Sequence, residues 1–297
     1  MPIAAANGIE IAYDEVGDRA APVILLIMGL GAQLTRWPQA FCQRLADAGF
    51  RVVRYDNRDV GLSTKFDAAG VPNVGDLFQR ALKGRPVDAP YTLEDMALDG
   101  VGLLDALGIA KAHIVGASMG GMIAQVFAAK HPDRTLSLVS IMSTSGRPDL
   151  PPATPEAMAA LVSQPPAADR ESIVQHSVKG RLVVGSPTFP EDAALLRRLV
   201  EESYDRGYYP QGTSRQTAAI LKSGSRVALL ETIRVPSLVI HGIADPLVPV
   251  EGGKDTAATI PNGKLLLVPD MGHAIEAWLV PIVADAIIAH CREVPTR

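Results

Sequence analysis

Residues 113–120 read His113-Ile114-Val115-Gly116-Ala117-Ser118-Met119-Gly120, and this stretch decides the fold that the sequence predicts. The apolar run before Gly116 is typical of a buried strand, and residues 122–129 are typical of an amphipathic helix. A strand and a helix joined through Gly-x-Ser-x-Gly form a tight turn that lifts the serine hydroxyl above the edge of a sheet. Side chains at Gly116 or Gly120 would crowd the neighbouring elements, and the serine is forced into a strained backbone conformation. Ser118 is therefore a candidate nucleophile, the alternative being a serine in an ordinary turn.

Working outward from this turn, short aliphatic or β-branched runs that end in glycine or acidic residues predict buried strands. These runs are residues 23–28, 51–56, 113–117, 136–142, 237–241 and 264–268. Helical patterns lie between the early strands, at residues 38–48, 93–107 and 119–130. Alternating strands and helices predict an α/β fold with a mostly parallel sheet covered on both faces. The alternating pattern of residues 9–13 is instead typical of an exposed antiparallel strand at the edge of the sheet.

The alternation of strands and helices stops after Ser143. Helix start signals follow at Thr154, Asp169, Pro190 and Ser225, and no comparable strand run occurs before residue 235. We therefore expect one α/β core formed by residues 1–144 and 235–297, interrupted by a helical cap at residues 145–234.

Composition excludes several classes of protein. The chain has 297 residues, of which 47% are apolar and 20% charged, with a mean hydropathy of +0.16, values typical of a globular protein with a large core. Its net charge of −4 gives no basic surface for nucleic acid or an anionic membrane. The longest apolar stretch is too short to span a membrane, and no secretory signal is visible, so we expect a cytoplasmic protein. Cys42 and Cys291 lie far apart in the sequence and predict two reduced, packed thiols.

A serine hydroxyl becomes a good nucleophile only when a base takes its proton. His273 follows the last predicted strand and can reach back over the carboxyl edge of the sheet, so it is the candidate base. Of the other histidines, four are more simply explained by packing or exposure, and His241 precedes a better acid candidate. That acid is Asp245, in an Asp-Pro turn after the penultimate strand, where a simple turn role is the alternative. Asp270 is a second candidate acid, although its closeness to His273 favours a role in the local turn.

Ester hydrolysis also needs donors for the oxyanion that forms as the carbonyl becomes tetrahedral. The backbone N–H of Met119 follows the nucleophile at the start of its helix. The backbone N–H of Leu30, at the end of the first central strand, is the second candidate donor. Gly29 and Gly31 beside it allow a ligand to approach the main chain closely, although an ordinary turn would have the same residues.

With these residues the chain resembles the α/β-hydrolase superfamily over essentially its whole length, and within it the aclacinomycin methylesterase-type carboxylesterases. The similarity lies in residues 28–31, residues 54–59 with Gly61 and Ser63, residues 116–120 and residues 271–273. The order Ser118, Asp245, His273 is also that of α/β hydrolases, and not that of chymotrypsin-like or subtilisin-like chains. The resemblance implies a helical cap, a triad of these three residues and no cofactor. Met28 stands where the wider superfamily usually has a histidine, which changes the support of the loop that carries Leu30.

Three other functions are alternatives for this sequence. Gly29-x-Gly31 after a strand, with Asp56 at the end of the next, partly matches a dinucleotide-binding motif, but Leu34 occupies the position of the third glycine. A protein that keeps the hydrolase fold only to bind a ligand is a second alternative. An aminopeptidase, the third alternative, would need acidic residues in the cap to hold the amine of its substrate. Three acidic residues of the predicted cap could have this role, although they could also form the solvated face of a helix. These residues are Glu201, Glu202 and Asp205.

The predicted substrate is a small to medium neutral or hydrophobic ester, and no metal site is predicted. Residues 145–234 contain 11 basic and 10 acidic residues, so no single charge dominates the predicted cap. Tyr208, Tyr209 and Gly29 are candidates to line the pocket, although packing within the cap explains the tyrosines equally well. The resemblance suggests a methyl ester of a bulky acid. Perhydrolase, lactonase and carbon–carbon hydrolase activities use the same triad and remain open, as does the oligomeric state.

Overall fold

The computed structural model describes residues 1–294, so the last three residues of the predicted core segment 235–297 lie outside the described part of the chain. Its eight strands form one sheet. The strands are β1 (Ile3–Ala6), β2 (Ile9–Val16), β3 (Val23–Ile27), β4 (Arg51–Tyr55), β5 (Ala112–Ala117), β6 (Thr135–Ile141), β7 (Ser237–Gly242) and β8 (Lys264–Val268).

The helices of residues 1–294 fall into two groups. Those of the core are α1 (Gln39–Asp47), α2 (Val74–Leu82), α3 (Leu93–Ala106), α4 (Met119–Lys130), α10 (Val250–Thr259) and α11 (Leu279–Arg292). The insert helices, which lie between β6 and β7, are α5 (Pro155–Val162), α6 (Arg170–Val184), α7 (Ala193–Gly207), α8 (Pro210–Ser223) and α9 (Val227–Leu230). None of these helices combines the length and the apolar composition needed to cross a membrane.

The strand order is β1-β2-β4-β3-β5-β6-β7-β8. The β1/β2 and β2/β4 pairs are antiparallel, and every later pair is parallel. The predicted α/β fold with a mostly parallel sheet is therefore confirmed. The six predicted strands match observed strands to within one residue at each end. The prediction that residues 264–268 form a buried strand is wrong, because β8 is an edge strand that pairs only with β7, and Lys264 and Leu265 are exposed.

Strand β3 explains why the central strands are continuously apolar. All five of its residues are buried, and they alternate between two cores. Val23, Leu25 and Ile27 pack in the core beneath α3 and α4, while Ile24 and Leu26 pack in the core beneath α1 and α11. Successive side chains of a strand point to opposite faces, so a sheet covered by helices on both sides requires apolar residues at every position.

The prediction that residues 9–13 form the edge of the sheet is wrong. Strand β2 is antiparallel as predicted, but it pairs on both sides, and β1 lies outside it. Asn7 and Gly8, with φ of 50° and 76°, form the tight turn between β1 and β2. Two successive residues with positive φ are typical of a short hairpin. Three of the four residues of β1 are alanine, which has a low strand propensity and hides the strand from sequence analysis.

The interval between β6 and β7 is helical, with no strand in residues 145–234. Thr154, Asp169 and Asp192 cap α5, α6 and α7, and each side chain accepts a hydrogen bond from a backbone N–H in the first turn. The sequence analysis missed α8. Its N-cap residue, Tyr209, makes no side-chain capping bond, and Gly212 in its first turn lowers the helix propensity. Pro210 at the first helical position is a start signal that the sequence analysis did not use.

Buried histidines make the stability of this fold depend on pH. His113 in β5 is fully buried, with Nδ1 2.8 Å from the Ser137 hydroxyl and no partner for Nε2 within residues 1–294. Burial, with a smaller effect from the nearby charge of His290, lowers the pKa of His113 from 6.5 to about 4. Burial also lowers the pKa values of His241 and His290.

We expect the free energy of unfolding to fall as the pH is lowered from 7 to 4.5. The unfolded chain binds a proton at His113 below about pH 6.5, whereas the folded chain resists protonation until about pH 4. Its stabilising effect is therefore complete above pH 6.5 and decreases as the pH falls towards 4. At about 1.4 kcal/mol per pKa unit, the loss from His113 is about 2 to 3 kcal/mol.

Urea unfolding of the wild type and of His113→Asn at pH 7.0 and pH 4.5 tests this expectation. The variant should lose less free energy between the two pH values, whatever its stability at pH 7. An equal loss in both proteins would mean that His113 does not contribute to the pH dependence.

Candidate active site

The three candidate catalytic residues follow three parallel strands of the sheet. Ser118 comes directly after β5, Asp245 lies three residues after β7, and His273 lies five residues after β8. Because the carboxyl ends of parallel strands meet at one edge of a sheet, these loops lie on the same side.

The turn between β5 and α4 is strained and tightly packed. Ser118 has φ of 56° and ψ of −121°, a conformation that residues with a side chain rarely adopt. A Cβ atom at Gly116 would overlap the carbonyl oxygen of Gly120. One at Gly120 would overlap the carbonyl oxygen of Ile27 at the end of β3. The two glycines therefore serve the steric purpose that the sequence predicts, and they let α4 start directly above the sheet.

The side chains of Ser118, His273 and Asp245 meet above this edge. The Ser118 Oγ lies 2.9 Å from Nε2 of His273, and Nδ1 of the same ring lies 2.7 Å from Oδ2 of Asp245. A carboxylate can only accept, so Nδ1 carries the proton and Nε2 is free to accept from the serine hydroxyl. The histidine side chain is 8% exposed and that of Asp245 is fully buried, so little water competes for either bond.

Asp245 also holds its own turn. Its Oδ1 accepts hydrogen bonds from the backbone N–H groups of Leu247 and Val248, both at 2.9 Å. The turn role and the contact with His273 therefore coexist, one on each carboxylate oxygen. Nε2 of His241 lies 3.7 Å from Oδ2 of Asp245 and 2.8 Å from the Val248 carbonyl oxygen.

The alternative acid, Asp270, lies in a different set of contacts. Its Oδ1 accepts a hydrogen bond of 2.9 Å from the Thr188 hydroxyl, and its φ is 56°. It therefore fits the local turn role that the sequence favours.

The two candidate oxyanion donors flank the serine. Among the hydrogen bonds of residues 1–294, neither the Leu30 nor the Met119 backbone N–H donates to a protein acceptor. Gly29 lies directly against the nucleophile, because a Cβ atom there would be 3.0 Å from the Cβ of Ser118. Both backbone donors thus remain available beside the serine hydroxyl.

Two residues that the sequence analysis missed hold the loop that carries Leu30. Nδ2 of Asn57 donates to the carbonyl oxygen of Met28 at 2.8 Å. Met28 is the residue that stands where related hydrolases usually have a histidine. Oε1 of Gln216 accepts from the Gly31 N–H at 2.8 Å, and its Nε2 donates to the Arg58 carbonyl oxygen at 2.8 Å. Asn57 belongs to the motif at residues 54–59, but its role depends on a contact with a residue 29 positions earlier in the chain. Gln216 lies on α8, the helix that sequence analysis missed.

The insert helices are joined to the core by buried charges. Arg215 of α8 forms a two-bond ion pair with Asp59, and both side chains are at most 1% exposed. Arg206 of α7 forms an ion pair of 2.7 Å with the fully buried Asp56, which also accepts from the Leu34 N–H at 2.8 Å. These bonds explain Asp56 without the ribose that a dinucleotide-binding protein would hold there.

The remaining candidates make structural contacts. Tyr208 stacks on Tyr204, and the Tyr209 hydroxyl contacts Asp67 and Arg215. These contacts account for both tyrosines, and their role in lining a pocket stays a prediction. The acids weighed for an aminopeptidase lie on the surface of α7, where Glu201 and Asp205 pair with Arg170.

Neither cysteine offers a reactive thiol. Cys42 and Cys291 are free and buried, and burial raises their pKa values to about 11 and about 12. Both thiols are therefore protonated at neutral pH. Within residues 1–294, no cluster of three or more His, Cys, Asp or Glu side chains is arranged to hold a metal ion.

Comparison with known proteins places this arrangement in a family. A model of the alpha/beta hydrolase fold matches residues 22–276. The chain is 30% identical to the rhodomycin D methylesterase DauP of Streptomyces sp. (strain C5), over 93% of each chain. It is also 30% identical to a putative carbamate hydrolase RutD of Caulobacter sp. (strain K31), over 84% of this chain and 83% of the relative.

Solved structures share the same fold. The enol-lactonase from Burkholderia xenovorans LB400 has a TM-score of 0.75 and 24% identity, covering 98% of this chain and 100% of that one. The family match and the methylesterase relative confirm the resemblance that the sequence motifs indicate. The chain is a member of the α/β-hydrolase family.

Proposed function

We propose that this protein is a serine carboxylic-ester hydrolase that works through an acyl-enzyme. The observation that carries the proposal is the continuous hydrogen-bonded series from Ser118 through His273 to Asp245, with distances of 2.9 Å and 2.7 Å. A serine hydroxyl bonded to a histidine that is itself oriented by a carboxylate is the arrangement needed for nucleophilic catalysis.

In the first half-reaction Ser118 Oγ attacks the ester carbonyl while Nε2 of His273 takes the hydroxyl proton. Asp245 orients the ring and stabilises the imidazolium that forms. The backbone N–H groups of Leu30 and Met119 donate to the oxyanion. Loss of one such donor typically lowers the rate by about 100- to 1000-fold. His273 then protonates the leaving alcohol, and the acyl group remains on Ser118.

In the second half-reaction water attacks the acyl-enzyme. His273 takes a proton from the water, the same donors stabilise the second oxyanion, and the acid leaves as Ser118 regains its proton. Besides the small-molecule ester and water, each step uses only side chains and backbone groups of this chain.

The relatives support an ester substrate and favour a methyl ester. The rhodomycin D methylesterase, 30% identical over 93% of this chain, is named for the removal of a methyl group from an ester. A methyl leaving group is small, so the acyl part of the substrate would make most of the contacts with the protein. A panel of esters varied separately in acyl and alcohol parts would determine which part the enzyme selects.

We also propose that the insert helices act as a cap over the site. This proposal is supported by two hydrogen bonds between the insert and the loops that carry the candidate site residues. The backbone N–H of His273 donates to the carbonyl oxygen of Val184 in α6 at 2.7 Å. Oε1 of Gln216 in α8 accepts from the backbone N–H of Gly31 in the oxyanion loop at 2.8 Å.

Replacing the nucleophile tests the proposed function directly. Ser118→Ala should reduce hydrolysis of a 4-nitrophenyl ester to the background rate while the protein remains folded, because no other group can form the acyl-enzyme. A fluorophosphonate probe should label the wild type at Ser118, identified by peptide mass spectrometry, and should not label the variant. Retained turnover in Ser118→Ala would refute this mechanism.

Replacing Asn57 tests the proposed oxyanion loop. Asn57→Ala removes the 2.8 Å hydrogen bond to the Met28 carbonyl oxygen and lets the loop that carries Leu30 shift. A small displacement of a catalytic group can cost about 100-fold, so we expect kcat to fall by about 10- to 100-fold with a smaller change in KM.

Thr35→Ala, at an exposed position just after the same loop, is the matched control and should leave kcat unchanged. Steady-state kinetics on one ester compares the three proteins. If kcat of Asn57→Ala stays within twofold of the wild type, Asn57 does not position the donor.

A further inference from the structure

Within residues 1–294, two arginines that follow or precede site residues in the chain have no side-chain partner. Arg36 ends the short 3-10 turn at Leu34–Arg36, just after the oxyanion loop, and Arg181 lies in the last turns of α6. Both are partly buried. Within residues 1–294, neither guanidinium donates a hydrogen bond or lies within 4.0 Å of a carboxylate oxygen.

The other arginines make this pair unusual. Every other arginine that is buried or half-buried has a hydrogen-bond or ion-pair partner: Arg51, Arg54, Arg58, Arg134, Arg147, Arg197, Arg206, Arg215 and Arg226. Apart from Arg36 and Arg181, the arginines of residues 1–294 that lack one, Arg85 and Arg198, are exposed to water. Charged groups removed from water are normally paired, because an unpaired one loses its hydration without compensation. Within residues 1–294, Arg36 and Arg181 depart from this rule, and a negatively charged ligand would supply the partner that each lacks.

The positions of the two arginines connect them to the catalytic residues. Arg181 lies one helical turn before Val184, whose carbonyl oxygen accepts the backbone N–H of His273 at 2.7 Å. Arg181 therefore lies at the end of α6 that meets the histidine loop. Arg36 lies two residues after Leu34, whose backbone N–H donates to Asp56 at 2.8 Å.

The charge of Arg36 acts on Arg181. Burial is the main cause that lowers the pKa of Arg181 well below its ordinary value, and the charge of Arg36 lowers it further. Burial also lowers the pKa of Arg36, while the charges of Glu276 and Glu191 oppose that effect. The two oxygens of Glu276 also accept from the N–H and the hydroxyl of Ser186, at 2.7 Å and 2.5 Å. Arg181 is thus the less compensated charge, and a single negative charge would balance it.

We propose that Arg36 and Arg181 form a subsite for a carboxylate of the substrate, so that the enzyme prefers an ester whose acyl part carries a separate carboxylate. The planar guanidinium group binds a carboxylate through two parallel hydrogen bonds, which fixes both its position and its orientation. This inference rests on the proposed esterase function and specifies its substrate class. The near balance of 11 basic and 10 acidic residues in residues 145–234 conceals this local excess of positive charge.

Matched pairs of esters test the subsite. The mono-4-nitrophenyl esters of adipate and suberate carry a terminal carboxylate where the 4-nitrophenyl esters of hexanoate and octanoate carry a methyl group. We expect the wild type to have the higher kcat/KM for the carboxylate member of at least one pair. Arg181→Ala and Arg36→Ala should lower the ratio of the two kcat/KM values by about 10- to 100-fold, the usual value of a hydrogen bond between charged groups.

Two further variants separate recognition from general damage. Arg198→Ala removes an exposed, unpartnered arginine of α7 and should leave the ratio at its wild-type value. Arg181→Lys keeps the charge but loses the paired donors, so its ratio should lie between those of the wild type and Arg181→Ala. A ratio that is the same in the wild type, Arg181→Ala and Arg36→Ala would overturn the subsite while the esterase function stands.

A binding measurement tests the subsite without turnover. Monomethyl adipate titrated into Ser118→Ala protein should bind, and the double variant Ser118→Ala/Arg181→Ala should bind at least about tenfold more weakly by calorimetry. Equal affinity in the two proteins would overturn the subsite. Failure of the wild type to hydrolyse any ester, together with no labelling of Ser118, would refute the proposed function instead, and the titration would still decide whether the carboxylate binds.

Discussion

The site depends on one steric constraint, the close approach of the β5–α4 turn to the end of β3. No side chain fits at Gly120, because the carbonyl oxygen of Ile27 occupies the place of its Cβ atom. The same approach brings Gly29 against Ser118, so the loop after β3 and the loop after β5 form one packed unit. Ser118 takes its positive φ because the chain must change from strand to helix in this space. The hydroxyl and the two nearby backbone donors are therefore positioned by packing before any substrate binds.

Sequence analysis predicted the parallel part of the sheet well, because strands buried on both faces are apolar at every position. Strand β3 is an example, with five consecutive buried residues. It missed β1, where alanines give little strand signal, and so assigned the edge of the sheet to β2. It also missed α8, which begins without a capping side chain. In both cases the element is stabilised by its tertiary neighbours and not by its local sequence.

The candidate triad was predictable because each of its members follows a strand in a recognisable loop. The residues that hold the oxyanion loop were harder to find. Asn57 and Gln216 act through contacts with positions 28 and 31, and those contacts arise only when distant segments pack together. The proposed carboxylate subsite was harder still to find, since Arg36 and Arg181 are distinguished from the other buried or half-buried arginines of residues 1–294 by the partner that they lack. Composition counts charges, whereas recognition depends on which charges are left unpaired.

The buried ion pair between Arg215 and Asp59 limits how this enzyme could be re-engineered. Removing one partner of such a pair leaves an uncompensated charge in the interior, at a typical cost of about 3 to 5 kcal/mol. A chimera whose replacement for residues 145–234 lacked these arginines would leave Asp59 without Arg215 and Asp56 without Arg206. The transplanted unit must therefore include the loop that begins at Asp56. The unit that can be exchanged without leaving a buried charge unpaired therefore extends beyond the insert and includes part of the core.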